Sequence, residues 1–358
     1  MADEREDRLL AALRSIAPGT ALREGLDNVL RARTGAIIVM SDSSQMMELV
    51  DGGFHLNYDF TPAALYELAK MDGAIILSSD GRKILCANAQ LVPDTTVPST
   101  ETGIRHRTAE RVARLTNEIV IAISQRRNII SVYRGSQKYI LRELSVILSK
   151  ANQALQTLEK YKVVLDQALT NLTALEFEDQ VTIYDVSTVM QRFEMVSRIV
   201  AEIKRYIVEL GSEGRLVNMQ LVELVGNYEQ ESLAVVKDYA APGETRQPEE
   251  IWEQVGRFTA DELLEPISVC RVMGYGTNLN ALEQSVSPGG YRVLSKIPRL
   301  PSSVIENLVR VFGNLQGMIR ASIEELDEVE GIGEVRARAV RDGLRRLREQ
   351  ALVDRHLG

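Results

Sequence analysis

The chain has 358 residues, more than one hydrophobic core usually holds, so two or three domains are expected. Hydrophobic residues make up 45% and charged residues 26%, as in ordinary globular proteins, and the net charge of −8 argues against a protein that coats nucleic acid with its whole surface. No apolar run suggests a signal peptide or a membrane span, and two distant cysteines, Cys86 and Cys270, support neither a disulfide framework nor a zinc site, which favours a reducing cytoplasm.

Helices and strands mix over residues 1–140, which predicts an α/β domain with a mixed β-sheet flanked by helices. Helices are predicted at 7–13, 20–33 and 62–70, and strands at 35–40, 74–77, 82–88, 119–124 and 128–133. Thr61 is placed to cap the third helix, and Pro62 falls in its first turn, where proline is tolerated.

Residues 71–77 open with an acidic residue and a glycine and continue into an apolar run that is typical of a strand. Asp72 stands where a carboxylate can hold Mg²⁺ against a triphosphate, and Gly73 lets the backbone approach a ligand closely. Because Asp-Gly is also common in turns, this pair alone carries little information.

A cationic cluster, Arg105-His106-Arg107, follows Gly103 and directly precedes a helix predicted from Thr108 onwards. Free backbone N–H groups and the positive end of a helix dipole attract anions there, and the guanidinium fork suits phosphate oxygens. The cluster indicates a polyphosphate site; taken alone, a solvated basic turn is the alternative.

Three further residues stand at or after strand ends, where ligand contacts in such folds are common: Leu91, Ser124 and Arg126. Each also has a structural interpretation. Leu91 suits a core residue, Ser124 the end of a strand, and Arg126 a solvated loop. Their convergence on one site is a hypothesis.

Residues 60–135 resemble a diadenylate cyclase domain, because they contain its Asp-Gly-Ala and Arg-His-Arg motifs. That family condenses two ATP molecules into cyclic di-AMP and releases pyrophosphate. The resemblance implies catalytic roles for Asp72, Arg105, His106 and Arg107, with Asp72 holding Mg²⁺ or Mn²⁺ and activating a ribose 3′-hydroxyl. It implies an ATP site made of Gly73, Ala74, Leu91, Ile104, Arg105, His106, Arg107, Thr108, Ser124 and Arg126. Ile104 departs from the family, which usually has Thr there, so only its backbone could make that contact.

Residues 141–290 are predicted to be an all-α helical spacer. Apolar residues recur in steps of three and four from Leu158 to Leu175 and from Met190 to Leu210, and a further helix is predicted at 215–238. The stripes suit either a spacer bundle or pairing between subunits. The acidic stretch Glu176, Glu178 and Asp179 is interpreted as solvated.

Residues 291–358 form a small all-α domain that resembles a helix-hairpin-helix DNA-binding motif, with helices predicted at 323–329 and 334–348. Gly331 and Gly333 permit a tight turn and expose backbone N–H groups to a phosphate, and Arg336 and Arg338 make the second helix basic. Residues 297–312 are interpreted as a degenerate first copy. A hairpin used for protein contacts is the alternative.

The order of these parts resembles the DNA-scanning branch of the diadenylate cyclase family. This resemblance implies a cytoplasmic bacterial octamer, with nucleoid association as a further expectation, whose cyclic di-AMP synthesis responds to branched or damaged double-stranded DNA. Because the product is symmetric and needs two facing ATP molecules, catalysis is expected to need an oligomer. Two alternatives stay open: a non-enzymatic nucleotide-sensing DNA-repair scaffold, and a nucleotidyltransferase that acts on DNA ends.

Overall fold

The computed structural model describes the backbone of residues 2–357 and the side chains of residues 9–353. The chain divides into two compact units. The first comprises Met1–Gln153 and Ile203–Met219, and the second comprises Ala154–Glu202 and Gln220–Gly358.

A mixed β-sheet forms the centre of the first unit. Its strands are β1 (Ala36–Met40), β2 (Val50–Asp51), β3 (Phe54–Asp59), β4 (Ala74–Leu77), β5 (Lys83–Leu91), β6 (Ile119–Ser124), β7 (Ile129–Arg134) and β8 (Gln137–Ile140). The order across the sheet is β2-β5-β4-β1-β6-β7-β8, with β3 also paired to β5. Strands β1 and β4 are parallel, and the other described pairs are antiparallel.

Helices cover both faces of this sheet. They are α1 (Ala2–Ser15), α2 (Ala21–Arg31), α3 (Ser44–Met47), α4 (Pro62–Leu68) and α5 (Ile104–Thr116). All five residues of β1 are buried, and alternate residues enter different clusters: Ile38 packs in the cluster that contains α2 and α4, and Val39 in the one that contains α5. Alternation along a strand therefore places α5 on the face opposite α2 and α4.

The predicted α/β fold is confirmed, and the local capping prediction is confirmed with it. Thr61 Oγ1 accepts a hydrogen bond from the Ala64 N–H at 3.1 Å, and Pro62 is the first residue of α4. The prediction missed β2, β3, β8 and α3. Strand β3 does alternate apolar and polar residues, but all six are exposed, so no burial pattern accompanies the alternation.

The rest of the described chain is helical, as predicted. Its helices are α6 (Leu144–Glu178), α7 (Ile183–Leu210), α8 (Arg215–Val225), α9 (Tyr228–Tyr239), α10 (Pro248–Gly256), α11 (Ala260–Leu264), α12 (Pro266–Val272), α13 (Tyr291–Ser295), α14 (Ser302–Phe312), α15 (Leu315–Arg320), α16 (Ile323–Asp327) and α17 (Glu334–Leu357), with 3-10 turns at Gly211–Gly214 and Leu279–Glu283. Among these residues and those of the first unit, no helix has the length and apolar character that a membrane crossing requires.

The single helix predicted over 215–238 is in fact two helices. Gly226 adopts φ +54° directly after α8, a conformation that interrupts a right-handed helix and that glycine adopts at little cost. The chain then restarts as α9 at Tyr228.

The interpretation of Glu176 as part of a solvated acidic stretch was wrong. Its side chain is fully buried in the second unit, where it accepts hydrogen bonds from Arg292 and from the Tyr239 hydroxyl. The nearby Asp238 is also buried and accepts bonds from the backbone N–H groups of Gly290, Tyr291 and Arg292. A buried carboxylate needs such partners, and they lie more than 50 positions away in the chain, where local spacing cannot reveal them.

Candidate functional site

The two predicted motifs of the first unit meet in the folded chain. Arg105 Nη2 donates a hydrogen bond to Asp72 Oδ1 at 2.8 Å. The side chains are 40% and 93% exposed, so water screens the pair and it adds little to stability. Both charges are therefore accessible to a ligand.

Helix α5 begins four residues earlier than predicted, at Ile104, so Arg105, His106 and Arg107 lie inside its first turn and not before it. Its N-cap, Gly103, is extended and supplies no side-chain cap, and the first turn contains no acidic residue. The first backbone N–H groups of a helix have no partner within the helix, and the N-cap residue of α5 supplies none. This end of α5 therefore suits an anion.

The side chains of that turn point in different directions. Ile104 is 82% exposed. Arg107 is exposed and folds back on the preceding loop, where its Nε and Nη2 donate to the carbonyls of Glu101 and Thr102 at 3.3 Å each. Thr108 is partly exposed, one turn into the helix.

His106 is the exception within the cluster, because it is buried. Only 8% of the residue is exposed, and its Nε2 has no hydrogen-bond partner among the described residues. Burial lowers the pKa of His106, while the charge of Glu101 raises it, and the net direction is down. The ring is therefore neutral at pH 7 and turned away from solvent, and its predicted contact with phosphate stays a prediction.

Two glycines near this site lie too close to neighbouring atoms to carry a side chain. A Cβ on Gly35 would collide with the guanidinium of Arg105, and a Cβ on Gly73 would lie 2.6 Å from the backbone of Asn88. Asn88 itself has φ +54° within β5, where the register shifts. Gly73 was predicted to let the backbone approach a ligand, and that contact stays a prediction. The structure shows that packing against β5 requires a glycine here. Gly35 and Asn88 were missed, since neither lies near a motif in the sequence.

The strand register places the other predicted residues at the end of the sheet where β1 and β4 begin and β5 and β6 finish. Ile37 pairs with Ala74, Ala36 pairs with Ile123 next to Ser124, and Ala74 pairs with Ala89 near the end of β5.

Their side chains differ in what they offer to a ligand. Ala74 is buried, so only its backbone could contact a nucleotide. Leu91 is partly buried against the core, the Ser124 hydroxyl accepts from the Arg127 N–H at 3.2 Å, and Arg126 is exposed in the following turn. Their ATP contacts stay predictions.

The loop before α5 is held in place by Glu110, a residue of the helix itself. Its carboxylate accepts bonds from the Ser99 hydroxyl at 2.5 Å, the Thr100 N–H at 3.0 Å and Arg114 at 2.6 Å. Burial alone would raise the pKa of Glu110, but these three donors outweigh it and hold the pKa below its usual range. Sequence analysis did not single out Glu110, although it lies only three positions after Arg107.

In the second unit, the predicted glycine hairpin is present between α16 and α17. Gly331 has φ +85°, and Gly333 has no heavy atom within 4 Å of the position of a Cβ, so its backbone is open to an approaching group. Arg336 donates to the Gly331 carbonyl at 2.6 Å, and Arg338 pairs with Glu334, both exposed to solvent. Ile332 between the glycines is buried in the core of the unit.

Three protein-family models match successive stretches of the chain. The family described as DisA bacterial checkpoint controller nucleotide-binding matches residues 23–138, the DisA linker region matches residues 141–282, and the helix-hairpin-helix motif matches residues 314–343. The proposed degenerate first copy at 297–312 lies outside that last match and stays a prediction.

Two curated relatives match almost the whole chain. DNA integrity scanning protein DisA of Carboxydothermus hydrogenoformans is 60% identical over 97% of this chain and 98% of its own length. The protein of the same name from Acetivibrio thermocellus is 59% identical over 98% and 97%. A crystal structure of a hypothetical membrane spanning protein from Bacillus cereus is 20% identical, with a TM-score of 0.31 over 34% of this chain and 62% of its own, a likeness too low to bear on the fold.

Proposed function

This chain belongs to the DisA family of DNA integrity scanning proteins, and we propose that it condenses two ATP molecules into cyclic di-AMP with release of two pyrophosphates. The hydrogen bond between Asp72 and Arg105 carries the proposal, because it unites the two motifs of the diadenylate cyclase resemblance in one place. A carboxylate and a guanidinium side by side match the two parts of ATP that the reaction uses, a ribose hydroxyl and a phosphate.

Asp72 is the proposed acceptor for the ribose 3′-hydroxyl proton and a proposed ligand of Mg²⁺ or Mn²⁺. Its exposed carboxylate fits a metal that takes most of its ligands from the nucleotide, since the described residues contain no group of three or more His, Cys, Asp or Glu that could hold one. When bound, the ion supplies positive charge that stabilises the phosphate under attack.

The first turn of α5 is the proposed phosphate site. Arg105 and Arg107 offer guanidinium forks, Thr108 offers a hydroxyl, and the uncapped backbone N–H groups point the same way as the helix dipole. In such a displacement the 3′-oxygen of one ATP attacks the α-phosphorus of the other while the bond to pyrophosphate breaks. Fixed cationic donors stabilise the charge that gathers on the phosphate oxygens.

The reaction needs a second ATP opposite the first, and we propose that a second subunit supplies it within an octamer. The proposed site is open, with Asp72 and Ile104 almost fully exposed, which leaves room for a facing copy. Specific activity should therefore fall on dilution as the oligomer dissociates. Constant specific activity down to fully monomeric protein would contradict a shared site.

The helix-hairpin-helix module is the proposed sensor of DNA. Exposed hairpin glycines and arginines suit phosphate contacts, which report DNA shape more than sequence. We propose that branched DNA bound at this module lowers cyclase activity. Cyclase rates of the full chain with and without a four-way junction test this, beside the variant Arg336→Ala/Arg338→Ala, which should lose the response to DNA.

Chromatography of the products after incubation with ATP and either Mg²⁺ or Mn²⁺ tests the main proposal. The parent should form cyclic di-AMP, and Asp72→Asn and Arg105→Ala should form little or none. Arg82→Ala is a matched control, because Arg82 is an exposed arginine beside Asp80 in the turn at the other end of β4. No cyclic product from oligomeric parent protein would leave a nucleotide-sensing scaffold as the better account. A parallel incubation with duplex DNA added tests the remaining alternative, because modified DNA ends would indicate another nucleotidyltransferase.

A further inference from the structure

Behind the first turn of α5, three side chains from the preceding loop and from β7 and β8 meet in one group. The Tyr133 hydroxyl donates to Glu101 Oε1 at 2.9 Å, and Lys138 Nζ donates to the same oxygen. The Glu101 side chain is only 7% exposed. We propose that this group, the Glu101 clamp, positions His106 and Arg107 for catalysis without touching the nucleotide; the inference rests on the proposed function.

Within the clamp, the carboxylate of Glu101 stays ionised and the hydroxyl of Tyr133 stays protonated. Burial raises the pKa of Glu101, but the bonds from Lys138 and Tyr133 outweigh burial and hold the pKa below its usual range. Burial and the neighbouring carboxylate raise the pKa of Tyr133, so its hydroxyl keeps its proton and acts as a donor. A buried carboxylate with two donors, one of them a cation, is a rigid anchor because breaking either bond leaves a charge or a polar group without a partner.

The side chain of Tyr133 connects the Glu101 carboxylate to His106. The two rings meet edge to face, with centroids 6.3 Å apart and planes at 88°. Since Tyr133 is almost fully buried and its hydroxyl is fixed by Glu101, the surface against which His106 packs is fixed too. His106 in turn is part of the first turn of α5, so its place determines that of its neighbours.

The backbone of Glu101 holds the second residue. Its carbonyl accepts from Arg107 Nε at 3.3 Å, and the next carbonyl, of Thr102, accepts from Arg107 Nη2. Residue 101 therefore links the exposed guanidinium of Arg107, through its own backbone and side chain, to two strands of the sheet. Glu110 anchors the same loop at Ser99 and Thr100, but it makes no link to the sheet among its described bonds.

Such a device should affect the rate more than the affinity for ATP. Phosphate binding tolerates small displacements of a flexible arginine, whereas in-line attack requires close alignment, and a shift of about 1 Å can cost a hundredfold in rate. Substitution of a residue that only maintained the fold would instead lower stability and weaken ATP binding and turnover together.

Two conservative variants separate these roles. Glu101→Gln keeps the size and an acceptor oxygen but removes the charge, and Tyr133→Phe keeps the ring but removes the donor. Each should lower kcat about tenfold, with the KM for ATP changed less than about threefold. The double variant should be little worse than either single one, because both break the same anchor. Glu67→Gln is the matched control, an exposed carboxylate paired with Lys70 in the same unit, and it should behave as the parent.

Histidine NMR supplies a readout that does not depend on turnover. The chain has three histidines, so the His106 ring signals can be assigned by their loss in His106→Gln. Tyr133→Phe and Glu101→Gln should shift those signals, and Glu67→Gln should not. A parent that forms no cyclic product overturns the proposed function, and the spectra then test the clamp alone. Unchanged His106 signals overturn the clamp; so does a variant with parental kcat, or one whose thermal stability, KM and kcat all deteriorate together.

Discussion

Arg105 lies 2.8 Å from the carboxylate of Asp72, although the two residues are 33 positions apart in the chain. The parallel pairing of β1 with β4 places the start of β4 beside the start of β1, and Gly35, directly before β1, leaves room for the guanidinium. The contact is thus a product of the sheet order and of one missing side chain. It places a carboxylate and a guanidinium side by side in the first unit, next to the starts of β1 and β4.

Gly35→Ala should displace the guanidinium of Arg105 from Asp72, since the added Cβ would overlap it. We expect the rate of ATP conversion to fall about tenfold, because the loss of one aligned group commonly costs that much or more. The fold should survive, because Arg105 is flexible and partly exposed. Steady-state kinetics beside thermal unfolding measures both. Gly256→Ala is the control, where the nearest atom to a Cβ is 3.9 Å away; equal rates for both variants would contradict the role of Gly35.

The stability of the first unit should depend on pH through His106. Burial, the largest cause, lowers the pKa of His106 from its ordinary 6.5; Lys138, Arg127 and Arg105 lower it further, and Glu101 opposes them. The unfolded state therefore binds the proton first as pH falls, so the stabilising contribution present above about pH 6.5 is lost as pH falls towards the folded-state pKa.

Thermal unfolding of the parent and of His106→Gln across about pH 5 to pH 8 measures this contribution. The apparent melting temperature of the parent should drop more steeply on acidification than that of the variant, because other titrating groups are common to both. Parallel curves would show that His106 does not titrate in a buried environment.

Arg292→Met should destabilise the second unit by about 3–5 kcal/mol, since it leaves the buried carboxylate of Glu176 without its cation. Denaturant unfolding can be followed by the fluorescence of Trp252, the only tryptophan, which packs edge to face on Phe193 in that unit. The double variant Arg292→Met/Glu176→Leu should lose less than the single one, because the Glu176 carboxylate is then not left buried without its cation.

Arg345→Met is the control for that series. Its side chain is 79% exposed and pairs with Glu349 one turn away, so its removal should leave the unfolding midpoint unchanged. If Arg292→Met behaved like this control, the buried pair would contribute nothing to the unit.

Arg336→Ala and Arg338→Ala should each weaken DNA binding and reduce the slope of log affinity against log salt by about one, because each removes one proposed phosphate contact. Fluorescence anisotropy with duplex and four-way-junction DNA at several salt concentrations measures this slope. Arg257→Ala, in an exposed pair with Glu253 on α10, should leave the slope as in the parent. Unchanged slopes for the hairpin variants would indicate that the module contacts protein and not DNA.

Much of the architecture was predictable from local pattern. The apolar runs of β1, β4, β6 and β7, the Thr61-Pro62 start of α4 and the glycine hairpin at Gly331 all follow from rules that act over a few residues. Where these rules misled, a neighbour in space or one backbone angle decided the outcome. Gly226, with its positive φ, ended a helix that periodicity predicted to continue. Helix α5 starts four residues earlier than predicted, directly after its N-cap Gly103, which has no side chain.

The sequence by itself determined which chemical groups the protein has and where strands such as β1, β4, β6 and β7 lie, because motifs and periodicity are local. Only the tertiary structure decided which groups meet. It joined Asp72 to Arg105, buried His106 against Tyr133 and paired Glu176 with Arg292, all across long intervals of chain. The physical reason is that a buried charged or polar side chain needs a hydrogen-bond partner, and sheet order and helix packing bring that partner within reach. Local sequence spacing does not show which distant residue the partner is.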